Sequence, residues 1–195
     1  MLKANLSKAI ELLKRGDIIV YPTDTQYAFG VDIWNDDSIK KVFKIKNRPN
    51  INPLPIAVAK YDDITKLTYK NKYVKKICDH FLPGQLTIIL YKNENISNVL
   101  TAGKDKIAIR IPNNNIALEL LGKFGPLTVT SANFHGKKTQ STIENIYLQF
   151  KDNINCYLDY GMLNNNPSTI VDLTYKKPTI VRQGTISLKD ILAVI

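Results

Sequence analysis

The sequence contains few of the residues that build metal and redox sites. Only two cysteines, Cys78 and Cys156, and two histidines, His80 and His135, occur in 195 residues. The cysteines form no C-x-x-C pair and the histidines have no partner at H-E-x-x-H spacing, so the sequence predicts no metal site. We expect the two thiols to be buried and inert. Nor does any spacing indicate a Cys-His or Ser-His nucleophile.

Long apolar runs and glycine-rich phosphate loops are missing as well. No stretch approaches the ~20 apolar residues that span a bilayer, and residues 1–17 form a charged amphipathic pattern rather than an apolar signal core. We therefore expect a cytoplasmic protein with no membrane contact. The patterns G-x-x-x-x-G-K-[ST] and G-x-G-x-x-G do not occur, which argues against an ordinary P-loop or Rossmann nucleotide site.

What the chain does have is positive charge and enough apolar residues for one core. Its 27 Lys and Arg stand against 17 Asp and Glu, which gives a net charge of +10, and 44% of its residues are hydrophobic. The length predicts one compact domain over residues 1–195. The charge favours nucleic acid and small anions such as ATP alike, and does not choose between them.

Hydrophobic periodicity predicts strands and helices that alternate for much of the chain. A helix capped by Ser7 and ended by Gly16 precedes the strand DIIVY, and a helix opened by Asp36 or Asp37 must stop before Pro49. Later strands are expected at LTIIL, KIAIRIP, PLTVTSAN, CYLDYG, STIVDLTY and TIVRQG, and later helices at KYVKKICDHF, IALELLGKF, TIENIYLQF and SLKDILAVI. The alternation indicates an α/β protein, and the three successive late strands suggest some antiparallel pairing.

Four polar clusters follow these apolar segments: PTDT at 22–25, KNR at 46–48, TSAN at 130–133, and PSTIVD with IVRQG near the C-terminus. In open α/β sheets ligands bind outside the strand ends, so the clusters could converge on one site. Each cluster also has a purely structural interpretation. PTDT can form a hydrogen-bonded turn, the two basic residues of KNR can complement a helix dipole, and TSAN can cap the next segment.

Arg110 is harder to explain structurally. It interrupts the apolar strand IAIRIP, and a charged side chain is seldom buried without a partner. An anionic ligand would supply that partner.

Taken in order, seven stretches resemble the YrdC-like threonylcarbamoyl-AMP synthases from about residue 8 to residue 187. They are YPTDTQYAFG, KIKNRPNINPLPIAV, PGQLTIIL, IAIRIP, PLTVTSANFHG, STIVDLT and IVRQG. The family pattern K-x-R followed by S-x-N is present as Lys46, Arg48, Ser131 and Asn133. The chain is similar to the short, single-domain form of the family.

The resemblance implies a fold and a reaction. The fold is a twisted mixed sheet, with parallel and antiparallel strands, flanked by helices and carrying a basic concave face. In the reaction, L-threonine, bicarbonate and ATP give threonylcarbamoyl-adenylate and pyrophosphate. ATP is expected with Mg²⁺, which the phosphates and water hold. The adenylate is then used by a downstream threonylcarbamoyl transferase complex to modify tRNA, and contact with tRNA is possible.

The resemblance also implies roles for individual residues. Lys46 and Arg48 would be catalytic, neutralising charge on the triphosphate, and both are expected in a Pro-bounded loop where replacement spares folding. The residues implied for threonine and bicarbonate are Thr23, Thr25, Arg48, Arg110 and Ser131. Those implied for the nucleotide are Lys46, Arg48, Thr130, Ser131, Asn133, Ser168 and Arg182.

The chain departs from the family pattern at two places. Tyr27, Ala28 and Phe29 stand where Y-G-L is usual, which would alter the wall behind the threonine pocket, and His135 stands where serine is common. Two alternatives to the synthase stay open: an RNA-binding protein of the same fold, and a carbamoyl-transfer domain related to hydrogenase maturation proteins.

Overall fold

The computed structural model describes residues 5–49, 51–163 and 167–195. Its first helix, α1 (Leu6–Lys14), is capped by Asn5, whose side chain accepts a hydrogen bond from Lys8 N. The predicted cap at Ser7 is wrong because Asn5 already occupies that role, which leaves Ser7 inside the first turn. Gly16 follows the helix with φ 79°, as the sequence predicts.

Within the described ranges, ten strands form two mixed sheets. Their bounds are β1 Ile19–Tyr21, β2 Ala28–Gly30, β3 Ile56–Ala57, β4 Leu86–Tyr91, β5 Lys106–Arg110, β6 Leu127–Thr128, β7 Thr130–Ser131, β8 Cys156–Tyr157, β9 Thr169–Asp172 and β10 Thr179–Arg182. The first sheet has the order β7-β2-β1-β8 and the second β10-β9-β4-β5-β3-β6. Parallel pairing joins β1 to β8, β3 to β5 and β4 to β9, and the other pairs are antiparallel. The predicted mixed α/β architecture is confirmed.

The two sheets are joined where the chain leaves β6 and enters β7. The sequence predicts one strand at PLTVTSAN, whereas β6 lies in the second sheet and β7 in the first. Val129 between them donates its backbone N–H to Pro55 O, while the Thr128 hydroxyl donates to Phe29 O and accepts from Val31 N. This crossing brings the TSAN segment beside the β1–β2 hairpin.

Eight α-helices in the described parts of the chain flank these sheets. Besides α1 they are α2 Asp36–Lys46, α3 Tyr61–Leu67, α4 Val74–Phe81, α5 Asn98–Thr101, α6 Asn115–Phe124, α7 Ile143–Phe150 and α8 Leu188–Leu192. Helix α2 opens at Asp36, one of the two predicted positions, and Asn35 before it caps the helix by accepting a hydrogen bond from Ser38 N. Ser187 caps α8 as predicted. The short α3 and α5 have no counterpart in the sequence prediction.

The core lies on both faces of the first sheet. Val20 points into the larger cluster with Phe29 and Phe150, while Ile19 and Tyr21 point into a second cluster with α1 and α6. This alternation is the period-two pattern of a strand buried on both faces. Both cysteines are buried and unbonded to each other, as expected. No helix among the described residues is long and apolar enough to cross a membrane.

Candidate active site

A cavity of about 270 Å³ opens where the β1–β2 hairpin meets the second sheet. Its lining takes side chains from the hairpin turn, the segment after α2, β4, β5, β7, β9 and β10. These residues are Thr23, Thr25, Gln26, Tyr27, Ala28, Arg48, Pro53, Leu54, Pro55, Thr87, Ala108, Arg110, Val129, Thr130, Ser131, Pro167, Ser168, Ile170 and Arg182. The structure therefore brings together residues from all four polar clusters, including every implied site residue except Lys46 and Asn133.

The PTDT segment forms the turn of the β1–β2 hairpin. The Thr23 hydroxyl donates to Gln26 O at 2.6 Å and accepts from the backbone N–H groups of Thr25 and Gln26. The two threonine hydroxyls lie 3.0 Å apart. Both interpretations of the sequence hold here, since the same side chains close the turn and line the cavity.

Arg110 lies 6% exposed at the end of β5, and its partner belongs to the chain itself. Nη2 donates to the Asp24 carboxylate at 2.6 Å and to Gly84 O at 3.1 Å, while Nη1 donates to Thr25 Oγ1 at 2.9 Å. The partner that the sequence analysis expected from an anionic ligand is therefore supplied by the Asp24 carboxylate. Burial lowers the pKa of Arg110, and the Asp24 charge opposes that shift. The guanidinium Nε has no hydrogen-bond partner among the described residues and is buried.

Lys46 is the last residue of α2 and is 1% exposed. Its Nζ donates to Ser131 O, to Asn133 O at 2.8 Å and to Asn133 Oδ1 at 3.1 Å. Burial lowers its pKa to about 7, and the nearby Arg48 charge acts in the same direction. The predicted Pro-bounded loop is wrong for Lys46, because its spacing from Ile39, Val42 and Phe43 continues the buried face of the helix.

Arg48 lies two residues farther on, beyond Asn47, which ends the helix in the left-handed conformation at φ 50°. Its guanidinium is held by two backbone carbonyls: Nε donates to Asn52 O at 3.0 Å and Nη2 to Pro53 O at 2.9 Å. The Arg48 side chain also lines the cavity. Burial lowers the pKa of Arg48.

Ser168 and Arg182 close the opposite side of the cavity. Arg182 Nε and Nη2 both donate to Ser168 O, at 3.1 and 2.8 Å, and the Ser168 hydroxyl lies 2.9 Å from Thr87 Oγ1. Sequence reasoning missed Thr87, which is buried in the apolar strand β4 and lines the cavity. A lone hydroxyl inside the run LTIIL is the signal that could have indicated it.

The backbone at Gly184 leaves no room for a side chain beside Ser168. A Cβ there would lie 2.5 Å from Thr169 N and would also collide with Pro167 O.

Gly184→Ala should lower the free energy of unfolding by about 1–3 kcal/mol, as overpacking does, since only backbone atoms could move away. Chemical denaturation measures this. Gly122→Ala is the matched control, because its Cβ would meet no atom within 4 Å, and this variant should lose no stability. A Gly184→Ala variant as stable as the wild type would contradict the steric argument.

The departures from the family pattern fall on different sides of the hairpin. Ala28 and Tyr27 line the cavity, whereas the Phe29 ring is buried in the core, 5.0 Å from that of Phe150. Phe29 is therefore a core residue behind the cavity and not one of the residues that line it. His135 is exposed, and its backbone N–H donates to Lys46 O at 2.7 Å.

The cavity combines hydroxyl groups with three guanidinium groups. None of the described lining residues is acidic, and no cluster of three His, Cys, Asp or Glu side chains occurs among the described residues. Such a set binds carboxylate or phosphate oxygens by charge-assisted hydrogen bonds. The fold and site thus define a mixed α/β protein with a cavity lined by basic and hydroxyl side chains, the kinds of group that hold anions in proteins.

Comparison with known proteins narrows this class. The family model for the Sua5/YciO/YrdC domain, described as "Telomere recombination", matches residues 11–184. The chain therefore belongs to the Sua5/YciO/YrdC family. It is 37% identical, over 94% of its length, to a putative threonylcarbamoyl-AMP synthase of Methanocaldococcus jannaschii, of which it covers 89%.

Two solved structures are similar across nearly the whole chain. Pyrococcus abyssi Sua5, solved as a complex with L-threonine, superposes with a TM-score of 0.93 at 31% identity, and the match covers 97% of this chain and 57% of that one. Escherichia coli YciO gives a TM-score of 0.88 at 27% identity and is covered over 92% of its length. The chain thus spans little more than half of the Pyrococcus protein but nearly all of YciO.

Proposed function

We propose that this chain is a threonylcarbamoyl-AMP synthase, which condenses L-threonine, bicarbonate and ATP to threonylcarbamoyl-adenylate and pyrophosphate. The observation that supports it best is the convergence of Arg48, Arg110 and Arg182 with a set of hydroxyls on one cavity. Similarity to a putative threonylcarbamoyl-AMP synthase, and to a Sua5 protein solved with L-threonine, supports the choice of substrate.

The cavity offers two sides for the two halves of this reaction. On the hairpin side, Thr23, Thr25 and Arg110 would bind threonine and the carbamate that forms when its amine takes up bicarbonate with loss of water. Asp24 holds Arg110 in place from outside the cavity lining, so the guanidinium is oriented before substrate arrives. Pre-orientation of this kind lowers the entropy cost of bringing the carbamate to the phosphate.

The nucleotide side would be formed by Arg48, Thr130, Ser131, Ser168 and Arg182. As a carbamate oxygen attacks the α-phosphorus, pyrophosphate leaves and negative charge builds on its oxygens. The fixed guanidinium of Arg48 is suited to stabilise that charge, because its two carbonyl contacts hold it still without neutralising it. Lys46 and Asn133, the other two residues that the resemblance implies for the nucleotide, do not line the cavity.

ATP would enter as its Mg²⁺ complex. Since the described lining residues include no carboxylate, the phosphates and water would supply the ligands of the metal, in keeping with the strong hydration of Mg²⁺. The residues present are compatible with a metal that arrives and leaves with the phosphates.

The product would pass to a threonylcarbamoyl transferase complex that modifies tRNA in the cytoplasm. The basic concave face, and any tRNA contact it makes, stays a prediction. An RNA-binding protein without synthase activity would account for the net charge but gives no reason for the enclosed hydroxyls around Arg110. A carbamoyl-transfer domain shares the expected fold, but the relative in Methanocaldococcus jannaschii, named a putative threonylcarbamoyl-AMP synthase, favours the synthase.

Pyrophosphate release tests the proposal. The purified chain, incubated with ATP, threonine and labelled bicarbonate, should release pyrophosphate and form labelled threonylcarbamoyl-adenylate only when all three are present. The reason is that the attacking oxygen exists only after the amine has been carboxylated. Omission of threonine or of bicarbonate is the control, and pyrophosphate release that ignores threonine would refute the substrate assignment.

A further inference from the structure

Lys46 has no N–H donor left for a ligand. An ammonium carries three donors, and Nζ of Lys46 contacts three acceptors: Ser131 O, Asn133 O and Asn133 Oδ1. Because all three are oxygens without a proton to give, the arrangement favours the protonated amine and opposes the lowering of its pKa by burial. The Phe29 ring, 5.3 Å from Nζ, covers the group on a further side.

The acceptors of Lys46 belong to the segment that supplies hydroxyls to the cavity. Asn133 Oδ1 also accepts from Ser131 Oγ at 2.7 Å, and Asn133 Nδ2 donates to Lys137 O. Ala132 N donates to Tyr27 O at 2.8 Å, beside the pairing of β7 with β2. The buried ammonium therefore fixes the course of the chain through residues 131–133.

We propose that Lys46 is a positioning residue, which together with Asn133 holds Thr130 and Ser131 toward the cavity and does not itself touch the phosphates. The K-x-R and S-x-N pattern then divides into a positioning pair, Lys46 and Asn133, and a cavity pair, Arg48 and Ser131. The proposal rests on the proposed function for the identity of the ligand.

The number of phosphates on the ligand distinguishes positioning from direct contact. Lys46→Met keeps the length and apolar contacts of the side chain but removes the charge and donors. If Lys46 acts through Ser131, calorimetry should show AMP, ADP and ATP each binding about 10- to 100-fold more weakly, by the same factor, as the loss of hydrogen bonds from one charged group predicts. A loss that grows from AMP to ATP, or no loss, would overturn the proposal.

Asn133→Ala tests the same arrangement while keeping the ammonium. It removes one acceptor of Lys46 and both hydrogen bonds that the Asn133 side chain makes with Ser131 Oγ and Lys137 O. The positioning role predicts the same phosphate-independent loss of binding as in Lys46→Met. A lysine that served the phosphates would instead be freed by this change, and ATP binding at or above the wild-type level would contradict the proposal. This variant stands in where Lys46→Met fails to fold.

Lys41→Met is the matched control. Lys41 lies in the same helix, and its Nζ donates to Gly16 O at 2.9 Å, away from the cavity lining. It should leave binding of all three nucleotides unchanged. A loss equal to that of Lys46→Met would show that any lysine of α2 has this effect and would refute the specific role.

Amide hydrogen exchange provides a readout that needs no ligand. The amides of Ala132 and Asn133 should exchange about tenfold faster in Lys46→Met than in Lys41→Met, because the segment has lost its anchor. Unchanged exchange would overturn the positioning role. Absence of adenylate synthesis by the wild-type chain, by contrast, would refute the proposed function and leave the exchange result as it stands.

Discussion

Asp24→Asn should lower the free energy of unfolding by about 3 kcal/mol or more. The substitution keeps the shape of the side chain and removes its charge, which leaves the guanidinium of Arg110 buried without a counterion. The Asp24 side chain is 10% exposed and the Arg110 side chain 6% exposed. Removal of one partner from a buried ion pair costs about 3–5 kcal/mol. Urea unfolding of the purified variant measures the loss.

The ion pair of Asp37 with Lys40 supplies the control. It has a similar length, 3.0 Å, but the Asp37 side chain is 86% exposed. Asp37→Asn should leave the unfolding midpoint nearly unchanged, because solvent screens an exposed pair. If both substitutions had equal small effects, the buried pair would contribute no more than a surface contact, and the account of Arg110 would be wrong.

Arg48→Ala should reduce adenylate synthesis by about 30- to 1000-fold while the chain stays folded. This corresponds to about 2–4 kcal/mol of transition-state stabilisation, the usual contribution of a fixed group that faces developing charge. Arg48→Lys should also be impaired. A lysine cannot donate to both Asn52 O and Pro53 O and still present a planar fork to the cavity. Steady-state pyrophosphate release, with folding checked by circular dichroism, gives the result.

Lys40→Ala is the matched control for Arg48. It removes a cation from the exposed side of α2, where Lys40 pairs with Asp37. Synthesis should stay near the wild-type rate. The RNA-binding alternative expects the opposite, with both cations contributing similarly to a salt-sensitive affinity for RNA. Full synthesis in Arg48→Ala would remove the catalytic role.

The residue types of the site could be predicted from the sequence, but most of its pairings could not. Hydroxyls and basic groups after apolar strands were correctly expected to converge, because strand ends are where a sheet presents side chains to a ligand. The partner of Arg110 is 86 residues away, at Asp24, and no local pattern fixes that distance. The sequence alone therefore points to a ligand as the partner of Arg110, whereas the structure shows the Asp24 carboxylate in that place.

The environment of Lys46 could not be predicted from the sequence for a different reason. The spacing of this lysine from Ile39, Val42 and Phe43 places it on the buried face of α2. Its charge and the proline that follows indicate a loop, whereas the helical spacing indicates the buried face, and the structure follows the spacing. A lysine can remain on an apolar face when enough acceptors reach it, and those acceptors come from β7 and the residues after it, which only the tertiary structure brings there.

The parallel pairing of β1 with β8 and of β4 with β9 has a consequence for the order in which the molecule folds. Residues 19–20 pair with 156–157, and residues 86–89 pair with 169–172. During synthesis both early strands leave the ribosome long before their partners exist, and closure of such long loops is slow. Until the last quarter of the chain arrives, apolar strand edges stay open to other chains. We expect this interval to be the one in which the protein is most prone to aggregate and most dependent on chaperones.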